Sequence, residues 1–482
     1  MTKLANPHRQ LVLLVLCAAM FLDTLDTGLV GVALPSIQDS LSLPDSTLQW
    51  LVSGYTVTYG GFLLLGGRAA DLFGRRRAFL ASMLLFAVAS LFGGVVSSGG
   101  LLILTRVVKG VAAAFTAPAA MSIITTTFHE GVDRNRALGF YTATAASGYS
   151  LGLVLSGMLT EVNWRLIFFL PAAIAVLVAV ATPVAIRAGG SEQVRRRSYD
   201  ATGAVSITAA VLLFIYGLVR APEVGWGASS TIGVFAVAAL LFVAFIVAER
   251  RHPDPTVPLR MFRSWTRSSA SVLAVVFAAA SLGWQFAATL YLQQLLGYGP
   301  FRTALVLLPV GVSTPPIAQA VTPWLLARIP MRWVAGIGML VQGTGILMFA
   351  FSGLRANYVG LLLPAMLLHG IGNGLVFTTM MVGGVQGVQD REQGVASGII
   401  TGSYQLGVGL GVAVLASVMT ATVSGPGAAA QLAGYRAAFL TAALFSLVGL
   451  AVAVIGLRRP ASTPPAAVEE IPQEVAAATA QA

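Results

Sequence analysis

The sequence predicts an all-α integral membrane protein with fourteen transmembrane helices, arranged as two parallel six-helix halves with two extra central helices. The composition gives the first indication: 56% of the 482 residues are hydrophobic and 10% are charged, whereas soluble proteins carry roughly 25% charged residues. Apolar runs that reach the roughly 20 residues of a bilayer crossing follow one another along the chain. A motif that recurs after 255 residues indicates an internal repeat.

The apolar runs are each predicted to form one helix. A backbone in lipid must satisfy its own hydrogen bonds, and the runs are too long for the strands of a transmembrane barrel. The predicted spans cover residues 11–32, 48–67, 78–97, 102–126, 137–159, 165–186, 201–219, 229–248, 269–292, 303–325, 333–352, 358–382, 395–421 and 436–457.

The repeat consists of "RALGFYTATAASGYSLG" from Arg136 and "REQGVASGIITGSYQLG" from Arg391, in which Tyr, Leu and Gly recur at the same positions, so that Gly152 is aligned with Gly407. Both motifs open a span from the same side, spans 5 and 13, so the repeats are parallel. Parallel six-span halves are typical of one class of secondary transporters. Spans 7 and 8 are then an extra pair between the halves.

The chain is divided accordingly into five regions. These are a cytoplasmic N-terminus (1–10), an N-terminal six-helix bundle (11–186), basic loops with two extra helices (187–268), a C-terminal six-helix bundle (269–457) and a disordered cytoplasmic tail (458–482).

The net charge of +11 is explained by topology rather than by nucleic acid binding. Of the 29 Lys and Arg residues, 22 fall on the side of the chain ends and 5 on the other side, with Arg106 and Lys109 inside span 4. The positive-inside rule therefore predicts a multi-pass protein of the cell membrane with both termini in the cytoplasm. The lone cysteine, Cys17, allows neither an internal disulfide nor a cysteine metal cluster, and no metal site is expected.

Four charged residues at membrane depth are the main candidates for a functional site. Asp23 and Asp26 are three residues apart in span 1, and Arg106 and Lys109 are three apart in span 4, so each pair shares one helix face. If the faces meet, the site holds two acids and two bases. Intramembrane acids are functional by default, and proton coupling is the favoured role, with Asp26 as main carrier and Asp23 as its partner. The alternative is a buried ionic cluster that only orders the bundle.

His369 in span 12 is a further proton-coupling candidate, because an imidazole titrates near neutral pH. A lone histidine on an apolar helix is more often a packing residue, and that interpretation stays open.

The segment "GRAADLFGRRR" between spans 2 and 3 runs from Gly67 to Arg77. Gly67 and Gly74 permit a tight turn or a close approach, and Asp71 is able to pair with an arginine or a helix N-terminus. Arg75 and Arg76 are basic anchors beside it. This spacing exceeds what a positive-inside loop requires.

These motifs resemble the major facilitator superfamily, and within it the fourteen-span drug:proton antiporters. "GRAADLFGRRR" is similar to the loop signature of the superfamily, which implies a conformational latch. "LDTGLVGVALP" resembles the span 1 motif, whose carboxylate falls on Asp26. "LTRVVKG" resembles the span 4 motif, whose arginine, implicated in proton transfer, falls on Arg106; Lys109 stands where the family usually has glutamine.

Span 5 departs from the family pattern. The antiporter signature has Gly-Pro followed by a Gly pair, whereas this chain has Leu153 in place of the proline and Ser156 in place of one glycine. Gly148, Gly152 and Gly157 are the small residues expected to pack this helix.

The resemblance implies export of a small amphipathic drug or antibiotic in exchange for protons, by alternating access, with the proton gradient in place of a cofactor. Substrate candidates between the halves are Tyr55, Trp284, Gln285, Tyr291, Gln294 and Asn373. A monomer in a bacterial cell membrane is expected. Proton-coupled uptake or exchange of a small metabolite on the same fold is the alternative. No metal-ligand cluster or nucleophile–base signature in the sequence supports an enzyme, and a receptor is not favoured either.

Overall fold

The computed structural model describes residues 7–128, 132–186, 201–252, 259–355, 357–388 and 393–457. Its long helical segments are α1 (Pro7–Leu41), α2 (Asp45–Phe73), α3 (Arg75–Val95), α4 (Gly99–Thr127), α5 (Val132–Asn163), α6 (Leu166–Ala185), α7 (Ala201–Val224), α8 (Ser229–Arg251), α9 (Trp265–Leu295), α10 (Pro300–Leu326), α11 (Met331–Ala350), α12 (Tyr358–Val385), α13 (Gln393–Thr422) and α14 (Ala428–Gly456).

Eleven of these helices, counted over the described residues, are long and apolar enough to cross a membrane. The other three are α2, α5 and α7; in α7 the apolar stretch is the shorter segment Val205–Leu218. Both α2 and α5 are rich in Gly, Ser, Thr and Tyr, which lowers their mean hydropathy. Such residues are tolerated where a helix faces other helices instead of lipid. The part of the chain that the structure describes is thus all-helical, and most of its long helices are suited to cross a membrane.

Helix packing repeats between the first six and the last six helices. Helix α1 packs on α5 and α6, α2 on α4, and α3 on α4 and α6. In the same order, α9 packs on α13 and α14, α10 on α12, and α11 on α12 and α14. Contacts between the two sets join α5 to α10 and α2 to α13. Helix α7 packs against both α2 and α13, and α8 packs against α7.

The buried apolar residues show where the two sets of helices meet. The terminal face is defined here as the end of the bundle that holds Pro7 of α1 and Gly456 of α14; the other end is the opposite face. Toward the opposite face one core cluster joins both sets, from Leu29 of α1 to Leu307 of α10. Toward the terminal face, the described residues form one core within α1–α6 and another within α9–α14.

The predicted loop from Gly67 to Arg77 is helical in the structure except at Gly74. Helix α2 continues to Phe73 and α3 starts at Arg75, so the connection is a single residue with φ of 89°. Only glycine adopts this conformation without strain. Sequence reasoning ended the span where hydropathy fell, but the backbone stays helical beyond the apolar stretch. Most of 1–10, the basic loop 187–200 and the tail 458–482 lie outside the described residues.

Glycines allow α5 to lie against the backbone of α1. A methyl group built on Gly152 would lie 2.6 Å from the carbonyl oxygen of Leu25, and one on Gly148 would lie 2.6 Å from that of Phe21. In the second half Gly407 and Gly411 make the equivalent contacts with α9. Gly152 and Gly407, which are aligned in the sequence repeat, thus both lie against a backbone carbonyl oxygen of the first helix of their half.

We expect Gly152→Val to destabilise the fold, because the neighbouring atoms are backbone and cannot move aside. Overpacking of this kind costs about 1–3 kcal/mol. The midpoint of thermal unfolding of the purified protein in detergent measures the effect. Gly233→Val in α8 is the matched control, since a methyl group added there would lie within 4 Å of no atom beyond the neighbouring residues and backbone of its own helix. Equal midpoints for the two variants would contradict the close α1–α5 packing.

Candidate functional site

Asp26 lies at the centre of a buried ionic cluster between α1 and α4. Its carboxylate accepts a hydrogen bond from Arg106 Nη1 at 2.5 Å on one oxygen and from Lys109 Nζ on the other. Asp26 and Lys109 are fully buried and Arg106 is 2% exposed. The faces of α1 and α4 that carry charge therefore meet, and one carboxylate serves two cations.

The two cations are held by further contacts. Arg106 Nε donates to the carbonyl oxygen of Leu51 at 2.9 Å, which connects α4 to α2. Lys109 Nζ donates to Ser90 Oγ at 3.1 Å and lies 4.7 Å from the ring centre of Phe86. These donors and ring faces partly replace the water that a buried cation loses.

Asp23 has different partners from Asp26. The hydroxyl of Tyr55 donates to one oxygen of Asp23, and Tyr59 is a second hydrogen-bonding partner. Asp23 remains partly exposed, unlike Asp26. Tyr55 connects the two acids indirectly, because the guanidinium of Arg106 lies 4.6 Å from its ring centre.

His369 lies in the other half of the molecule, in a neutral polar group. Its Nε2 is 3.2 Å from Ser281 Oγ, which also accepts a hydrogen bond from Asn373 at 3.0 Å. Its ring stacks on Trp284 with centres 4.2 Å apart. Within the described residues, His369 Nδ1 and Trp284 Nε1 are buried with no hydrogen-bond partner. The structure does not bring His369 to the acids of α1.

The substrate candidates fall at different depths. Tyr55 belongs to the charged site, and Gln285 accepts a hydrogen bond from Tyr149 of α5 across the two halves. Gln285 is therefore partly exposed between the halves, whereas Asn373 is partly exposed beside Ser281 of α9. Tyr291 and Gln294 lie near the opposite face instead: Tyr291 donates to the carbonyl oxygen of Gly353 at 2.6 Å, and Gln294 is exposed.

Sequence reasoning missed a set of hydrogen bonds that joins the halves at the opposite face. Gln293 donates to the carbonyl oxygen of Val32 at 2.8 Å, and Gln294 donates to Gln38 at 2.9 Å. Glu161 of α5 accepts from the backbone N–H of Phe301 in α10 at 3.3 Å. Neither hydropathy nor motif spacing reveals hydrogen bonds between residues that lie far apart in the sequence.

The motif residues of α2, α3 and α5 have mostly packing contacts. A methyl group on Gly67 would contact Pro118 of α4 at 3.6 Å, and one on Gly157 would overlap α10 near Phe301. Arg76 donates to the carbonyl oxygen of Pro183 in α6 at 3.4 Å. Arg75 follows Gly74 as the first residue of α3. The side chain of Asp71 lies outside the described part of α2.

The two residues of span 5 that differ from the antiporter signature both make contacts with neighbouring helices. Leu153 is buried in the core that joins the halves. The hydroxyl of Ser156 donates to the carbonyl oxygen of Leu29 in α1. As for metals, the described residues contain no group of three or more His, Cys, Asp or Glu side chains that could hold an ion.

We expect Asp26→Asn to lower stability strongly, because Arg106 and Lys109 both lose their counter-charge. Removing one partner of a buried ion pair costs about 3–5 kcal/mol. Thermal unfolding in detergent measures the loss, and the double variant Asp26→Asn/Lys109→Gln should recover part of it. Asp39→Asn, at the exposed end of the same helix, is the control. If Asp26→Asn unfolds at the wild-type temperature, the cluster is not a structural requirement.

Comparison with known proteins identifies the family. A family profile described as Major Facilitator Superfamily matches residues 16–412. The chain is 34% identical to the puromycin resistance protein pur8 of Streptomyces alboniger, over 86% of this chain and 82% of that protein. It is 33% identical to the cephamycin export protein CmcT of Amycolatopsis lactamdurans, over 95% of both chains.

Solved structures show the same fold. A bacterial homologue of the lysosomal transporter Spinster, in an inward-facing and unoccupied conformation, superposes with a TM-score of 0.67 at 16% identity, covering 94% of this chain and 98% of that one. The nucleoside transporter NupG superposes with a TM-score of 0.63 at 13% identity, covering 93% and 100%. The family expectation from the sequence is thus confirmed: the chain belongs to the major facilitator superfamily and is a membrane transporter, not an enzyme.

Proposed function

We propose that this transporter exports a small amphipathic antibiotic from a bacterial cell in exchange for protons, by alternating access. The observation that carries the proposal is the ionisable cluster of Asp23, Asp26, Arg106 and Lys109 in the middle of the bundle. Charge at membrane depth is costly and marks ion or substrate pathways. Relatives whose names describe antibiotic export or resistance support the choice of cargo.

The proton is the coupling ion best suited to this cluster. It contains carboxylates next to hydrogen-bond donors, and the described residues offer no group of acids that could hold a metal ion. With all four groups ionised, the charges of the cluster sum to zero. Binding or losing one proton changes that sum by one, and a net charge in an apolar interior is unfavourable. Protonation therefore affects which conformation of the bundle is stable.

Alternating access would occur between residues 11–186 and 269–457. The shared core toward the opposite face and the separate cores toward the terminal face support a state open at the terminal face. With both chain ends in the cytoplasm, as the Arg and Lys distribution favours, this state faces inward. The full count of fourteen spans, the inner-membrane location and a monomeric protein belong to the same proposal.

The proposal also includes a conformational latch at the junction of α2 and α3. Gly67, Asp71, Gly74, Arg75 and Arg76 would stabilise a conformation in which the terminal face is closed. The positive φ of Gly74, which would strain any other residue, and the contact of Arg76 with α6 support a defined role for the junction.

Substrate would bind between the halves at the level of Gln285 and Asn373, whose partly exposed amides are suited to orient a polar group. Tyr55 and Trp284, the other two candidates at mid-depth, are buried in this conformation, so they would contact substrate only after the two halves move. Tyr291 and Gln294 lie nearer the opposite face and would act along the exit path.

The function is tested with the purified protein in liposomes under an imposed pH gradient. Puromycin, lincomycin and a cephamycin are added, and compound movement and internal pH are followed together. Compound and proton movement in opposite directions supports antiport. Movement in the same direction would establish uptake instead, and no movement of any compound or proton would contradict the proposal for these substrates.

We expect Arg106→Ala to uncouple transport without unfolding the protein, because Asp26 keeps Lys109 as its counter-ion. Loss of the guanidinium leaves the cluster with one excess negative charge when the other groups are ionised, which shifts the charge balance on which coupling depends, so gradient-driven accumulation of compound should fall. Arg302→Ala, at an exposed site near the opposite face, is the control. An unchanged ratio of protons to compound in Arg106→Ala would contradict a role in coupling.

A further inference from the structure

The two acids of α1 differ in how firmly they are held. Both oxygens of Asp26 are bonded to cations, and the group is completely buried. Neutralising it by protonation would leave Arg106 and Lys109 as two unpaired buried cations. Such a state is strongly unfavourable, and Asp26 is therefore poorly suited to change its charge during each transport cycle.

Asp23 does not have this constraint. Its described partners are the hydroxyls of Tyr55 and Tyr59, which are neutral. A tyrosine hydroxyl donates to a carboxylate and is equally able to accept from a carboxylic acid. Asp23 is able to gain a proton while both of these partners keep a hydrogen bond.

The position of Asp23 gives it access to water. Its neighbour Leu22 belongs to the core of α1–α6 toward the terminal face, and Leu25 belongs to the core that joins the halves. Asp23 thus lies at the level where the joined part of the bundle ends. Thr27 and Gly31 continue the same side of α1, both partly exposed, and Gly31 lies opposite Gln285 of α9. This side of α1 faces the space between the halves.

We propose that Asp23, rather than Asp26, is the carboxylate that takes up and releases the transported proton, and that Asp26 is a fixed counter-ion for Arg106 and Lys109. The proposal rests on the proposed proton coupling and reverses the order that the sequence motif indicates. In the conformation described, Asp23 releases its proton from a carboxyl oxygen to water at the terminal face. In the other conformation, the carboxylate takes a proton from water at the opposite face.

The titratable groups around Asp23 come from three other helices. Tyr55 and Tyr59 of α2 bond to it, Tyr141 of α5 lies within electrostatic range, and Arg106 and Lys109 of α4 interact with it over a longer distance. Asp26 is the nearby acid on α1 itself. With Asp26 fixed, protonation of Asp23 leaves one excess positive charge in the cluster. That change in charge is the signal by which a proton shifts the balance between the two conformations.

Infrared difference spectroscopy of the full-length protein in lipid tests the assignment without a substrate. The carboxyl band is followed as pH is lowered from alkaline to acidic. Asp23→Asn preserves an acceptor for the Tyr55 hydroxyl and should fold. Asp26→Asn/Lys109→Gln removes one charge of each sign, and Asp39→Asn is the control.

We expect the wild type to show an intramembrane carboxyl that titrates, and Asp23→Asn to lose it. The band should persist in Asp26→Asn/Lys109→Gln and in Asp39→Asn. A carboxyl band that persists in Asp23→Asn and disappears in the double variant overturns the proposal. The proposal is also overturned if the wild type and Asp23→Asn give the same difference spectrum. Absence of antibiotic transport in liposomes would refute the proposed function separately, because the infrared measurement requires no cargo.

Discussion

The need to neutralise charge inside an apolar bundle determines how the first half of the molecule is built. Arg106 and Lys109 are buried, and Asp26 is the carboxylate that both of them contact. For these side chains to meet, α4 must lie close to α1 and α2. Gly110 makes this approach possible, since a methyl group there would overlap the backbone of Tyr55. The electrostatic requirement and the close packing of small residues therefore depend on each other.

The same constraint leaves the second half with a different kind of polar site. No Asp or Glu falls within its predicted spans, and the described polar group there consists of His369, Ser281 and Asn373. Hydrogen bonds between neutral groups satisfy most of these atoms without a net charge. The two halves share one helix arrangement, but ionic chemistry lies on one side and neutral hydrogen bonding on the other. A substrate between them would meet unlike surfaces.

The extra pair of helices, α7 and α8, lies beside the interface between the two halves. Helix α7 contacts α2 of the first half and α13 of the second: Thr208 donates to the carbonyl oxygen of Gly61 at 2.8 Å, and Ile215 packs with Val57 and Ala413. Its partner α8 packs on α7 and presents much of its apolar surface outward. Any rocking of one half against the other changes the surface on which α7 lies. The two extra helices are therefore packed against the interface between the halves.

The sequence alone determined the class of protein, the approximate helix positions and the candidate charged residues. These properties follow from local composition, because bilayer thickness sets the length of an apolar run and charge is rare within it. Motif similarity also determined the family. The sequence could not give the end of α2, since helical geometry continues past the apolar residues to Phe73.

Only the tertiary structure decided which acid meets which cation. Asp23 and Asp26 share a helix face, so their spacing in the sequence does not distinguish them. In the structure, Arg106 and Lys109 of α4 both contact Asp26, whereas Asp23 is bonded to tyrosines of α2. Tertiary packing likewise placed Gln294 near the opposite face. The physical reason is the same in each case: distances between helices depend on how their surfaces fit, and that fit is not encoded in the pattern of any single helix.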